Sequence, residues 1–238
     1  MLFRSYHGLL ASVKRQAARG VTIDANYTWS HCISDPFAAF FSSGTGNAGY
    51  INPDNRRFDR GNCTTSSTDR RHVFNLTAVA ETPRFSNANL RAVATGWRLS
   101  PILRLQSGGY LTVTTVNDVA LNGQASQRVH QILPDVYGDK SVNRYLNPAA
   151  FALPATGTFG NSGAATVLGP MYWQFDAALS RVFQVREDQR LEVRAEAFNV
   201  TNSMRMNDPV TNLNAGNFGK VISARDPRIM QFALKYVF

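Results

Sequence analysis

The chain has 238 residues, a formal charge of +9 and a pI near 10, with 44% hydrophobic and 17% charged residues. Its mean hydropathy is −0.22, and no apolar run approaches the roughly 18 residues of a membrane helix, which excludes a helical span but leaves a membrane barrel open. The basic residues are scattered, with only short pairs such as Arg56-Arg57 and Arg70-Arg71. Without a basic helix, zinc-knuckle spacing or RNA-reading aromatics, they speak against nucleic acid. Phosphates of outer-leaflet lipid and lipopolysaccharide, or an anionic ligand, account for the charge equally well.

Residues 1–16 (MLFRSYHGLLASVKRQ) lack an apolar core followed by a small-residue cleavage site, so they do not read as a signal peptide. Alternation of apolar and polar residues, the mark of a half-buried strand, then recurs seven times. Leu9, Ala11 and Val13 alternate with Ser12 and Lys14, and 17–20 makes a tight return. Val21, Ile23, Ala25, Tyr27 and Trp29 interleave with Thr22, Asp24, Asn26 and Thr28. Phe74, Leu76, Ala78 and Ala80 form the third strand. Trp97, Leu99, Pro101, Leu103 and Leu105 form the fourth, opposite Arg98, Ser100, Arg104 and Gln106. The fifth sets Trp173, Phe175, Ala177, Leu179, Phe183 and Val185 against Gln174, Asp176, Ser180 and Gln184. In the sixth, Leu191, Val193, Ala195 and Ala197 oppose Glu192, Arg194 and Glu196. The seventh, within 228–238, carries Met230, Phe232, Leu234, Tyr236 and Phe238 against Gln231, Ala233 and Lys235.

Short connections (17–20, 83–95, 186–189) alternate with long ones (31–69, 107–170, 202–226). That is the order of an outer-membrane barrel with short periplasmic turns and long extracellular loops. Such loops would be hard to fit in a compact soluble sandwich. The expected fold is therefore all-β: about seven long antiparallel strands in a curved open sheet. Three residues fit poorly. Arg181 lies on the apolar face, where a mid-bilayer arginine costs roughly 2–4 kcal/mol and an interfacial one far less. Pro101 removes a ladder donor and predicts a bulge or an edge. The apolar phase flips between Ala197 and Phe198, as at a bulge or a strand end.

Site motifs are few. Gly44, Gly46 and Gly49 spell GxGxxG with Asp69 twenty positions on, but no strand-turn-helix context surrounds them, so a loop is the reading. His7, His31, His72 and His130 have no metal-ligand spacing, and there is no GxSxG elbow. Glu192 and Glu196 flank Arg194 and could form an acid/base pair, although alternating charge on a polar lumenal wall is the commoner arrangement. The expectation is a protein without catalysis, metal or cofactor. Cys32 and Cys63 would close a loop in an oxidising compartment, worth about 3–4 kcal/mol in the chain-entropy view; in an intracellular protein they would be two thiols. Tyr27 and Trp29, Tyr172 and Trp173, and Tyr236 and Phe238 stand at strand ends, where barrels carry aromatic girdles, or where a soluble sheet packs its ends.

Four segments carry a resemblance: NYTWSH (26–31), DRRHVFN (69–75), LEVRAEAFNVTN (191–202) and NFGKVISARDPRIMQFALKYVF (217–238). Together, and most densely from Gly169 onward, they resemble the carboxyl-terminal barrel of Oar-like TonB-dependent receptors. In that family a β-sandwich and a plug precede a large plugged barrel of about 22 strands. The resemblance implies that residues 1–238 are a carboxyl-terminal piece of such a receptor, without plug, TonB-contacting segment or signal peptide. The implied function is energy-coupled passage of a ligand across the Gram-negative outer membrane. Phe232, Leu234, Tyr236 and Phe238 resemble the signal read by the barrel-assembly machinery. Implied partners are that machinery, the rest of the receptor, an unknown ligand and, only through the missing part, the TonB complex. Facing alone places Asp24, Arg98, Arg104, Glu192, Arg194 and Glu196 on the lumen. The alternatives are a small outer-membrane adhesin or hydrolase barrel and a soluble secreted carbohydrate-binding β-sandwich.

Overall fold

The computed structural model describes residues 4–18, 20–35, 51–52, 54–63 and 69–238. Seven long strands follow one another in an unbroken antiparallel meander: β1 (Arg4–Ala18), β2 (Val21–Ser34), β3 (His72–Glu81), β4 (Trp97–Gln106), β5 (Tyr172–Arg186), β6 (Gln189–Phe198) and β7 (Ile229–Val237). A short segment, Gly61–Asn62, pairs with the end of β2. The long strands form one sheet and not a sandwich. Each has nine residues or more, about what a tilted strand needs to cross a bilayer.

Directly opposed residues project on the same side of a sheet, so the register sorts the side chains. One row runs Val13, Ala25, Leu76, Leu103, Phe175 across five strands. A second joins Val21, Ala80, Leu99, Leu179, Ala195 and Phe232. On the other face Asp24, Thr77, Ile102 and Asp176 align, as do Glu81, Arg98, Ser180 and Arg194. All seven apolar stripes therefore coincide. They stay uncovered: Val13, Phe232 and Leu234 are each more than 60% exposed.

Pro101 produces neither a bulge nor an edge, contrary to expectation. It sits in a central strand opposite Ala177. Pairing of β3 with β4 stops after Thr77–Ile102 and resumes at Ala80–Leu99 in the same register. Proline has no N–H to give, and the neighbouring rungs hold the alignment. The phase flip at Phe198 is a strand end, since Asn199 turns the chain at φ 52°. Register shifts occur instead at the short turns, between Arg15 and Ala18 and between Gln184 and Arg186.

The connection from β3 to β4 contains a helix that the sequence reading did not anticipate, α1 (Ala88–Ala94). Its signals were ordinary. The Asn87 side chain accepts from the N–H groups of Asn89 (2.9 Å) and Leu90 (3.4 Å), and Gly96 follows at φ 80°, the usual start and stop of a helix.

The fully buried core lies among the long connections. Val113, Val129, Leu146, Phe151, Val167 and Phe218 pack together, with Phe151 and Phe218 edge to face at 5.7 Å. Small ladders tie this cap: Tyr110–Leu111 with Val167–Leu168, Thr114–Thr115 with Gln127–Arg128, and His130–Gln131 with Phe151–Ala152. Burial pushes the Tyr145 phenol up to about 12, and its hydroxyl donates to the Leu168 carbonyl at 3.2 Å.

Candidate site: a cleft between wall and cap

At the loop end of the polar face, one row of the sheet is roofed by the cap. The floor is Thr28, Val73, Gln106 and Tyr172, consecutive partners across β2, β3, β4 and β5. Asn207, Asp208 and Arg225 from the last long connection cover it, and Arg70 closes one side of a cleft of about 800 Å³. The alternation that makes the wall amphipathic turns this row of side chains toward the cleft.

Hydrogen bonds fix the floor and roof. The Tyr172 hydroxyl donates to Gln174 Oε1, Gln174 Nε2 donates to Asp176 Oδ2 at 2.6 Å, and Asp176 Oδ1 accepts from the Asn199 N–H at 2.9 Å. Asp176, 8% exposed, thereby anchors the start of the roof segment. The Arg225 guanidinium stands 4.7 Å above the Tyr172 ring, within cation–π range. Arg205 is buried behind it and donates to the Asp226 carbonyl at 2.5 Å. Arg70 donates to the Ser107 carbonyl at 2.9 Å, while its own carbonyl accepts from Ser30 Oγ at 3.1 Å. The cleft thus presents donors, one carboxylate and an aromatic face, a set suited to holding a polar ligand.

A disulfide and an ion pair are among the links that hold the first long connection to this assembly. Cys32 and Cys63 are joined in a disulfide with Cα atoms 5.4 Å apart, and Asp69, 1% exposed, accepts from the Cys32 N–H at 3.3 Å. The second is a buried ion pair, Asp59 to Arg128 at 3.3 Å. Asp59 also accepts from the N–H groups of Ile51 (2.7 Å) and Asn52 (3.3 Å). Arg128 donates to the Phe58 carbonyl at 2.6 Å and lies 3.9 Å over the Phe58 ring. Burial raises the Asp59 carboxyl above its ordinary value against the opposing pull of Arg128, and burial lowers Arg128.

The six residues assigned to the lumen by facing, Asp24, Arg98, Arg104, Glu192, Arg194 and Glu196, share one face of the sheet. None lines the cleft. Four of them pair along the wall instead: Arg98 with Glu81 at 2.6 Å, Arg194 with Glu196 at 2.5 Å, and Asp24 with Lys14 at 4.0 Å. Tyr172 leaves the expected girdle. Strand parity turns it to the polar face while Trp173 stays on the apolar one. Phe232, Leu234 and Tyr236 lie on the apolar face of β7, and Phe238 follows the strand, 90% exposed. Gly44, Gly46 and Gly49 lie outside the described residues. Among the described residues no group of three His, Cys, Asp or Glu side chains is placed to hold a metal. The histidines stand apart: His72 Nδ1 is 2.7 Å from the Tyr27 hydroxyl, and His31 Nε2 is 2.9 Å from Asn62 Oδ1.

The sequence reading missed Arg70, Arg205, Asn207, Asp208 and Arg225 as site residues. All lie outside the long strands, where no periodicity reports facing.

A single sheet that is apolar on one side, polar on the other and crowned by folded loops at one end is the wall of a membrane β-barrel. The family model described as "Outer membrane beta barrel domain" matches residues 2–231, and the chain belongs to that family. It is a protein of the Gram-negative outer membrane. No match was found among curated proteins or among solved structures.

Proposed function

We propose that this chain forms part of the barrel wall and the ligand-facing loops of a TonB-dependent receptor similar to the Oar-like kind. The observation that carries the reading is the roofed cleft at the loop end of the polar face, where a receptor would first hold its ligand. The strand count supports it. β1 and β7 are the outer members of the seven-strand order, and an all-antiparallel closed barrel needs an even number. A further odd number of strands would complete it and remove the two edges, which are costly in lipid. The residue-level resemblance of the four segments supports the family within that class. In this reading the polar face looks onto a plug, and the lumenal charges along β4 and β6 contact it.

The test has two arms. In cells, disrupting this locus and inactivating the TonB complex should abolish uptake of the same solute. A photoreactive residue replacing Asn75, in the middle of the polar face, should cross-link to a plug domain. Uptake that survives loss of TonB, or a polar face that captures no protein, would overturn the receptor reading and leave a barrel of another kind.

A further inference from the structure

The helix in the short connection between β3 and β4 is bound to the outside of the wall. Trp97 and Arg181 face each other across β4 and β5. They share the apolar face, because Trp97 is two residues from Leu99 and Arg181 two from Leu179. Both reach the same end of α1. Trp97 Nε1 donates to the Val93 carbonyl at 2.8 Å, Arg181 Nη1 donates to that carbonyl at 2.8 Å, and Arg181 Nη2 donates to the Ala92 carbonyl. The guanidinium also lies 4.5 Å from the Phe183 ring centroid and 5.5 Å from that of Trp97. Arg181 therefore satisfies the carbonyls that a helix leaves open at its carboxyl end, with its charge where the helix dipole favours it. Its place on an apolar face is explained by these bonds to α1.

Leu90 and Val93 occur three residues apart, on one side of the helix, and are 52% and 71% exposed. Arg91 is folded back and donates to the carbonyls of Phe85 at 3.1 Å and Ser86 at 2.7 Å. The exposed pair thus extends the apolar outer face of the wall past its short-turn end, which in this family's architecture is periplasmic. We infer that α1 is an interfacial helix seated in the phospholipid headgroup region of the periplasmic leaflet, with Leu90 and Val93 in the acyl boundary and the Arg181–Trp97 pair as its tether. Amphipathic helices take up that position when an apolar side meets the membrane plane. The occupant follows from continuity, since the lipid that covers Leu99, Leu179 and Phe183 also reaches the helix beside them. The inference rests on the outer-membrane setting of the wall and is independent of the ligand or of energy coupling.

Both native cysteines are in the disulfide, so one introduced cysteine is the sole free thiol. We would place nitroxides singly at Leu90→Cys, Val93→Cys, Ala88→Cys and Leu179→Cys in the full chain, in vesicles of phosphatidylethanolamine and phosphatidylglycerol. Accessibility to oxygen and to a water-soluble nickel chelate would then be compared. Positions 90 and 93 should favour oxygen several-fold relative to 88, which faces the opposite way, and should approach 179 on the wall. If 90 and 93 match 88 while 179 stays in lipid, the helix is in water or on a periplasmic protein and the inference fails. If 179 is also open to nickel, the wall's embedding fails with it. Arg181→Leu keeps the outer face apolar but frees the helix end. It should make position 93 several-fold more accessible to nickel, and no change would overturn the tether.

Discussion

The wall and the cap are held together in opposite ways. The wall has an antiparallel ladder through seven strands, interrupted beside Pro101, and no buried core of its own; its large apolar side chains are among the most exposed in the molecule. The cap has little regular structure, yet it holds the fully buried hydrophobic cluster, a buried ion pair and the roof of the cleft. The wall's order lies in its hydrogen-bonded ladder, and its apolar face needs lipid. The cap's order is non-local and self-contained. The connections together form a small folded body, which explains how long connections can present a shaped cleft.

The independence of cap and wall depends most on Arg128. Replacing it with Met leaves Asp59 buried without its counter-charge, which costs about 3–5 kcal/mol. Hydrogen exchange should show loss of protection in the cap and none in β4 to β6; equal loss in the wall would mean that the two regions are one cooperative unit. Removing the disulfide by Cys32→Ser with Cys63→Ser should cost about 3–4 kcal/mol by the chain-entropy argument. The loss should appear as protease cleavage of the first long connection without loss of membrane insertion. The reverse experiment is Leu103→Arg, on the outward face. It should cost the wall about 2–4 kcal/mol if the position lies near the bilayer midplane, seen as a reduced folded fraction in lipid, while Arg104→Leu on the polar face changes that fraction little.

The smallest effect is the pH response of the cap. The Asp59 carboxyl is raised in the fold above its ordinary 3.8, so the folded state holds that proton more tightly than the unfolded one. Its contribution is full below the ordinary value, is lost as pH rises through the raised one, and is level above. Cap protection followed by hydrogen exchange should fall across that window, and Asp59→Asn should remove the slope. A rise in protection across the same window would contradict the stated balance of burial over the Arg128 attraction.

Much of the wall was legible because alternation is a short-range signal. Leu191, Val193 and Ala195 against Glu192, Arg194 and Glu196 announce β6 without any partner. The helix was missed although Asn87 and Gly96 marked its ends, since seven residues of helix carry little periodicity. The cleft was not legible. Arg225 and Tyr172 meet only because the roof segment folds back over β5, and the alternation that sets Tyr172 beside Gln174 on the polar side says nothing of a roof above it. The pairing of Cys32 with Cys63 was one of two open readings until the ladder from Ile33 to Asn62 brought their backbones together.

What the sequence determined alone was the period: seven segments in which every second side chain is apolar, separated by alternately short and long connections. Strand geometry converts that period directly into two faces. The tertiary structure decided the phase. A slip of one residue in any pairing would have turned one strand's apolar stripe to the polar side, and the observed register aligns all seven. It also decided the core, the ion pair and the cleft, because Val113, Phe151 and Phe218, or Asp59 and Arg128, come from distant connections whose meeting no local pattern records.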